Sequence, residues 1–125
     1  MKLFLDKSAD QNIISAYGTD HVKVNQTEYR ENLIVATTAL ETDWAKAGFD
    51  GLTEADFAYL AEFGAEIILI GTGARQRFPA PALLRPLMAA RVGFEVMDLG
   101  SACRTYNILA HEGRSVAAAL IVEPA

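Results

Sequence analysis

The residues with chemistry in reach fall in two groups. The first is Gly71-Thr72-Gly73, which follows the apolar run Glu66-Ile67-Ile68-Leu69-Ile70 and precedes Arg75 and Arg77. Two glycines at a strand end allow a tight turn and the close approach of an anion to backbone N–H groups. A guanidinium nearby adds a planar fork of donors suited to carboxylate or phosphate. The spacing lacks the third glycine of a dinucleotide fingerprint and the Gly-Lys-Ser/Thr of a nucleotide loop, so the same residues also read as a plain turn with two solvated arginines. The second group is Asp98, Cys103, Arg104 and Asn107, at and along a helical pattern. A thiol near a helix N-terminus and beside an arginine sits where thiolate is favoured. Cys103 also borders the apolar face made by positions 102, 106, 109 and 110, and neither His21 nor His111 is placed to act as its base. Asp98 reads as the cap of that helix or the partner of Arg104, and Asn107 as a buried amide bonded to the adjacent loop. Two distant histidines and one cysteine supply no metal-ligand set, so neither metal nor cofactor is expected, and no residue is assigned as catalytic.

These groups need elements to hold them. Glu66–Ile70 has the length and β-branched content of a fully buried strand, and Phe94–Met97 reads as a second. A crossover of about 20 residues between them requires a helix and implies parallel pairing. Leu83, Leu84, Leu87 and Met88 form the apolar face of that helix, expected over Ala82–Val92 and ended by Gly93. Pro86 sits in its first turn or kinks it. A further helix is expected over Glu54–Phe63, capped by Thr53 and closed by Gly64, and a last one over Ala102–His111. Ile13–Tyr17 and His21–Asn25 read as a hairpin about Gly18-Thr19-Asp20, followed by a polar turn at Gln26-Thr27-Glu28. Leu33–Ala36, Ala39–Glu41 and Ser115–Val122 complete the strands. Trp44 is expected to plug one end of the core and Phe78 to plug the space under its loop. The result is an α/β domain with a mixed central sheet, an N-terminal β-hairpin region and helices on its faces.

At 125 residues the chain reads as a single domain, residues 1–125, large enough to fold without a metal or disulfide staple. With 16 acidic against 11 basic residues its net charge is −5, which gives no electrostatic support to nucleic-acid or anionic-membrane binding. A lone cysteine fits a reducing compartment, so a cytoplasmic location is expected. The start Met1-Lys2-Leu3-Phe4-Leu5-Asp6 has no long apolar run and no basic amphipathic pattern. That predicts no signal peptide, no membrane insertion and no transit peptide, as in a bacterial or cytosolic protein.

Over nearly its whole length the chain resembles a family of small domains of unknown biochemical activity. That family includes the mitochondrial complex I assembly factor three and an adipogenesis-associated cytosolic protein. The resemblance is carried by Glu66-Ile67-Ile68-Leu69-Ile70-Gly71-Thr72-Gly73, Gly93-Phe94-Glu95-Val96-Met97-Asp98, Ala102-Cys103-Arg104-Thr105-Tyr106-Asn107 and His111-Glu112-Gly113-Arg114, with Tyr17-Gly18 and Trp44 in weaker agreement. Relatives often have Thr after the aspartate where this chain has Leu99 and Gly100, which leaves the cap open between Asp98 and Ser101. The resemblance implies a three-layer α/β fold and no catalytic residues to carry over. It also implies, for the mitochondrial relative, assembly of a membrane enzyme through protein contacts.

The leading expectation is therefore a non-enzymatic cytoplasmic protein-interaction or assembly domain. Its candidate ligand or partner surface is Gly71, Thr72, Gly73, Arg75, Arg77, Asp98, Cys103, Arg104 and Asn107, since ligands collect at the carboxyl ends of strands in open α/β sheets. The alternative is a small anionic-ligand binder or enzyme using the Gly71–Gly73 turn with Arg77 and Cys103. A protein partner is expected, and an exposed hairpin edge offers a route to a homodimer.

Overall fold

The computed structural model describes residues 11–123; the segment Met1–Asp6, read above for targeting signals, lies outside them. Strands β1 (Ile14–Tyr17), β2 (Val22–Val24) and β3 (Thr27–Tyr29) form a small antiparallel sheet in that order. Next come β4 (Leu33–Ala36), β5 (Ala39–Glu41), α1 (Glu54–Ala61), β6 (Ile67–Gly71), α2 (Arg85–Ala89), β7 (Gly93–Met97), α3 (Leu99–His111) and β8 (Val116–Leu120). The five later strands make a mixed sheet in the order β5-β4-β8-β6-β7. β6 runs parallel to both β7 and β8, whereas β4 is antiparallel to β8 and β5.

β6 and β8 read as unbroken apolar runs because both of their faces are covered. Leu69, Ala118 and Leu120 turn toward α3 and the small sheet, and Ile68, Ile70, Ala117 and Ala119 turn toward α1 and α2. The side-chain period of two thus divides a continuous run between two cores. Three consecutive alanines in β8, all buried, leave room for helices to approach the sheet closely.

Local chemistry sets the ends of the helices. Thr53 and Asp56 form a reciprocal capping box at α1, and Gly64 takes the left-handed conformation (φ 82°) just beyond its end. Trp44 is buried as expected, and its indole N–H donates to the Asp56 carbonyl at 3.1 Å. Asp98 caps α3 by accepting the Ser101 N–H at 2.8 Å, which settles the choice between Asp98 and Ser101. The helix therefore starts at Leu99, three residues before the expected Ala102.

Four expectations need correction. The supposed polar turn at 26–28 is mostly strand: the chain reverses at Asn25-Gln26, with Asn25 left-handed (φ 55°), and Thr27–Tyr29 pairs with β2. The helix expected over Ala82–Val92 is a 3-10 turn at Pro81–Leu84 followed by the short α2, with Pro86 in its first turn, where a missing N–H breaks no ladder. Arg91 (φ 58°) takes the left-handed position after α2, and Gly93 opens β7 instead of closing the helix. Phe78 is 69% exposed and plugs nothing.

Candidate functional site

The loop leaving β6 is organised by Thr72, a buried polar residue. Its N–H donates to the Met97 carbonyl at 2.8 Å, tying the end of β6 to the end of β7. Its hydroxyl lies 2.8 Å from the Arg75 carbonyl and accepts the Arg77 N–H at 2.9 Å. Residues 72–77 are thus folded around one side chain. The Gln76 amide donates to the Val96 carbonyl at 2.8 Å, and the Gly73 carbonyl accepts the Leu99 N–H at 2.8 Å. These contacts join the loop to β7 and to the start of α3.

Arg77 does not stand free. Its Nε and Nη2 donate to the Thr72 carbonyl at 3.2 and 2.7 Å, and its guanidinium lies 4.4 Å over the Phe49 ring. Nη2 also pairs with Glu123 Oε2 at 2.7 Å, while Glu123 Oε1 accepts the Ala74 N–H at 3.1 Å. The Ala74 amide and then the Arg77 charge hold the Glu123 carboxyl below the usual carboxylate range. Gly73 has φ +90°, and a Cβ there would lie 2.5 Å from Glu123 Oε1, so a side chain at this position would collide with the carboxylate. Arg75 is exposed and forms no ion pair among the described residues.

On α3, Asp98 is a cap and not an ion-pair partner. Its second oxygen accepts the Ser101 hydroxyl at 3.1 Å, and the Ser101 N–H holds its pKa down. Arg104 reaches instead to the Tyr17 hydroxyl at 2.5 Å and to Ser101 Oγ at 3.2 Å. Tyr17, Gly18, Thr19, Gly73, Asp98 and Gly100 line a shallow recess of about 180 Å³ between the first hairpin and the strand ends. A larger open groove of about 800 Å³ lies beside Glu31, Trp44 and Lys46 and includes none of the candidate residues.

The structure therefore gathers Gly71, Thr72, Gly73, Arg75, Arg77 and Asp98 at one end of the sheet, with Arg104 at the rim. Cys103 and Asn107 are turned to other tasks. Cys103 is fully buried, and burial pushes its thiol up to about 12, so it carries no thiolate at neutral pH. We expect iodoacetamide to leave Cys103 unmodified in the folded chain at pH 8 and to alkylate it once urea has unfolded the protein. Rapid modification of the native chain, read by intact-mass spectrometry, would show this packing to be wrong. Asn107, expected as a buried amide bonded to the adjacent loop, is only partly buried and bonds β1 instead: its Oδ1 accepts the Ile14 N–H at 3.0 Å and its Nδ2 donates to the Ile14 carbonyl at 2.8 Å. Immediately before it, the buried Tyr106 donates its hydroxyl to the Asn12 carbonyl at 2.8 Å.

Two residues of the site carry no sequence signal. Glu123 lies 46 positions from Arg77, and nothing around it marks a carboxylate aimed at a distant turn. Phe49, under the guanidinium, is one aromatic among several. Among the described residues there is no group of three or more His, Cys, Asp or Glu side chains that could hold a metal ion. No helix among them is long and apolar enough to cross a membrane.

A mixed five-stranded sheet with helices on both faces, a small antiparallel sheet packed against α3, and a clamped Gly-Thr-Gly turn at the strand ends define a compact α/β class. The chain belongs to the family described as protein of unknown function (DUF498/DUF598), whose model matches residues 14–121. It is 37% identical over 83 residues to the NADH dehydrogenase (ubiquinone) 1 alpha subcomplex assembly factor 3 of Bos taurus, covering 65% of this chain and 45% of that protein. The chain thus spans about half the length of that relative. It is also 31% identical over 99 residues to the 13 kDa major membrane protein of Francisella tularensis, covering 78% of this chain and 80% of that one. A crystal structure from Bordetella parapertussis superposes with a TM-score of 0.83 at 36% identity, covering 90% of this chain and 97% of the other.

Proposed function

We propose that the chain is a non-enzymatic, cytoplasmic protein-interaction or assembly domain that meets its partner at the strand-end face, through the loop 72–78 with Asp98 and Arg104 beside it. The observation that carries this reading is Phe78. It is 69% exposed, although the residue before it is clamped by the Thr72 carbonyl and Glu123 and Pro79 after it is buried. An aromatic ring held out on an immobilised loop loses little conformational freedom on docking, which is how a few residues come to dominate an interface. Arg75, exposed and three positions earlier, adds a cation of the kind enriched at such sites. The name of the bovine relative, an assembly factor for NADH dehydrogenase, supports action through protein contacts.

Tagged wild-type chain and a Phe78→Ala/Arg75→Glu double variant, each pulled from the native host beside an untagged control, test this. We expect a defined set of proteins to be enriched by the wild type and to fall by about tenfold or more with the double variant, the scale of losing interface anchors. Equal capture by the double variant removes the surface assignment. Nothing enriched above control removes the interaction reading.

A further inference from the structure

The sequence of the Gly71–Arg77 turn suits an anion, and in the fold the turn holds one that belongs to the chain itself. Glu123 sends one oxygen to the Ala74 N–H and the other to Arg77 Nη2. The receiving groups are also held by contacts other than that carboxylate. Arg77 is fixed by two bonds to the Thr72 carbonyl and by the Phe49 ring, and its N–H is fixed by the Thr72 hydroxyl. The Ala74 N–H is aimed by Gly73, whose positive φ and missing Cβ leave the space the carboxylate enters. The Glu123 side chain is 36% exposed, so solvent reaches the pair from outside. A receptor held by contacts besides its occupant, and whose occupant is open to solvent, has the properties needed for exchange.

We propose that this turn is an exchangeable carboxylate receptor: Glu123 fills it in the isolated chain, and a carboxylate from another molecule can take its place. Under the interaction reading above, on which only this last step rests, that carboxylate is an acidic side chain of the protein that docks on Phe78. Contact with the nearby ring supplies the second point of attachment that lets an incoming acid compete with a tethered one. The Gly-Thr-Gly turn, Arg77 and the segment after β8 then work as a latch on the loop that presents Phe78.

Acetate is the probe, titrated at pH 7 against sodium chloride of equal ionic strength, with the Ala74 amide followed in 15N–1H spectra of the full chain. In Glu123→Ala the Ala74 signal is expected to shift saturably, with a midpoint at least tenfold below any seen for the wild type. The Glu123→Ala/Arg77→Met variant is expected to show no saturable shift. If Glu123→Ala does not fold, Glu123→Gln serves, because its amide oxygen still accepts from Ala74 but carries no charge for Arg77; acetate should then displace it at lower concentration than it displaces Glu123. Equal midpoints for the wild type and the Glu123 variant, or an unchanged response without Arg77, overturn the proposal. The titration needs no partner, so its failure is separate from failure of the pull-down.

Discussion

Tyr106→Ala is expected to destabilise the fold by about 3–5 kcal/mol, the usual cost of emptying a buried aromatic site. Tyr106 is fully inaccessible, and it packs in the core formed by α3, the small sheet and the inner face of β4, β6 and β8. Its removal leaves a cavity where these layers meet and takes away the donor that satisfies the Asn12 carbonyl. Domains of this size are stable by about 5–15 kcal/mol, so the variant is expected to lose a large share of its stability. Tyr106→Phe separates the two contributions: it keeps the ring, loses the hydroxyl, and should cost about 1 kcal/mol. Urea denaturation followed by circular dichroism reads both. A Tyr106→Ala loss below about 1.5 kcal/mol, less than the low end of the aromatic-to-alanine range, would mean that the site collapses or was never tightly packed.

Asn107→Leu is the second large effect, expected at about 2–4 kcal/mol for a different reason. The amide bonds both the N–H and the carbonyl of Ile14, a residue with 4% exposure at the start of β1. Leucine has the same number and branching of side-chain heavy atoms, although its methyl groups are bulkier, and it leaves two backbone groups of Ile14 unpaired, so the main cost is their desolvation. Asn107→Asp should be informative beside it: the carboxylate still accepts from the Ile14 N–H but now faces the Ile14 carbonyl with charge where a donor stood. We expect both variants to be clearly less stable than the wild type. If Asn107→Leu matches the wild type within about 0.5 kcal/mol, the typical scatter of surface substitutions, the small sheet is not held to α3 by this amide.

Whether a segment was legible in the sequence depended on how local its cause is. β6, β7 and α3 could be read because each announces itself over a few consecutive residues, and the cap at Thr53 and the plug at Trp44 are equally short-range. β3 could not, because Thr27 and Glu28 are exposed and Tyr29 only partly covered, so no apolar alternation survives to mark a strand. The leucines at 83, 84 and 87 fit one helical face and so suggest a longer helix than α2, whereas Pro81 and Pro86 each open one of two short helical segments. Phe78, between Arg77 and Pro79, reads as a core plug because it is a large apolar residue, yet it stands exposed beside the clamped Arg77, a placement that residue type does not encode. The turn at Gly71–Gly73 could be recognised as a place for an anion. Its occupant could not, since Glu123 meets it only through the β8–β6 pairing that brings the end of the chain back to this face.

The contact between Gln76 and Val96 bears on where the sheet stops. β7 is an outer strand, and a free strand edge offers backbone groups to any other chain that comes near in extended form. The Gln76 amide already occupies the Val96 carbonyl, and Glu95, exposed on the same strand, places a charge beside it. A foreign strand aligning along β7 would have to displace a side chain that the Thr72 hydroxyl holds in place through its own loop, and would also have to accommodate a carboxylate. The loop that carries the exposed Phe78 therefore also covers part of the adjacent edge, where it obstructs the strand-to-strand growth that a bare edge invites.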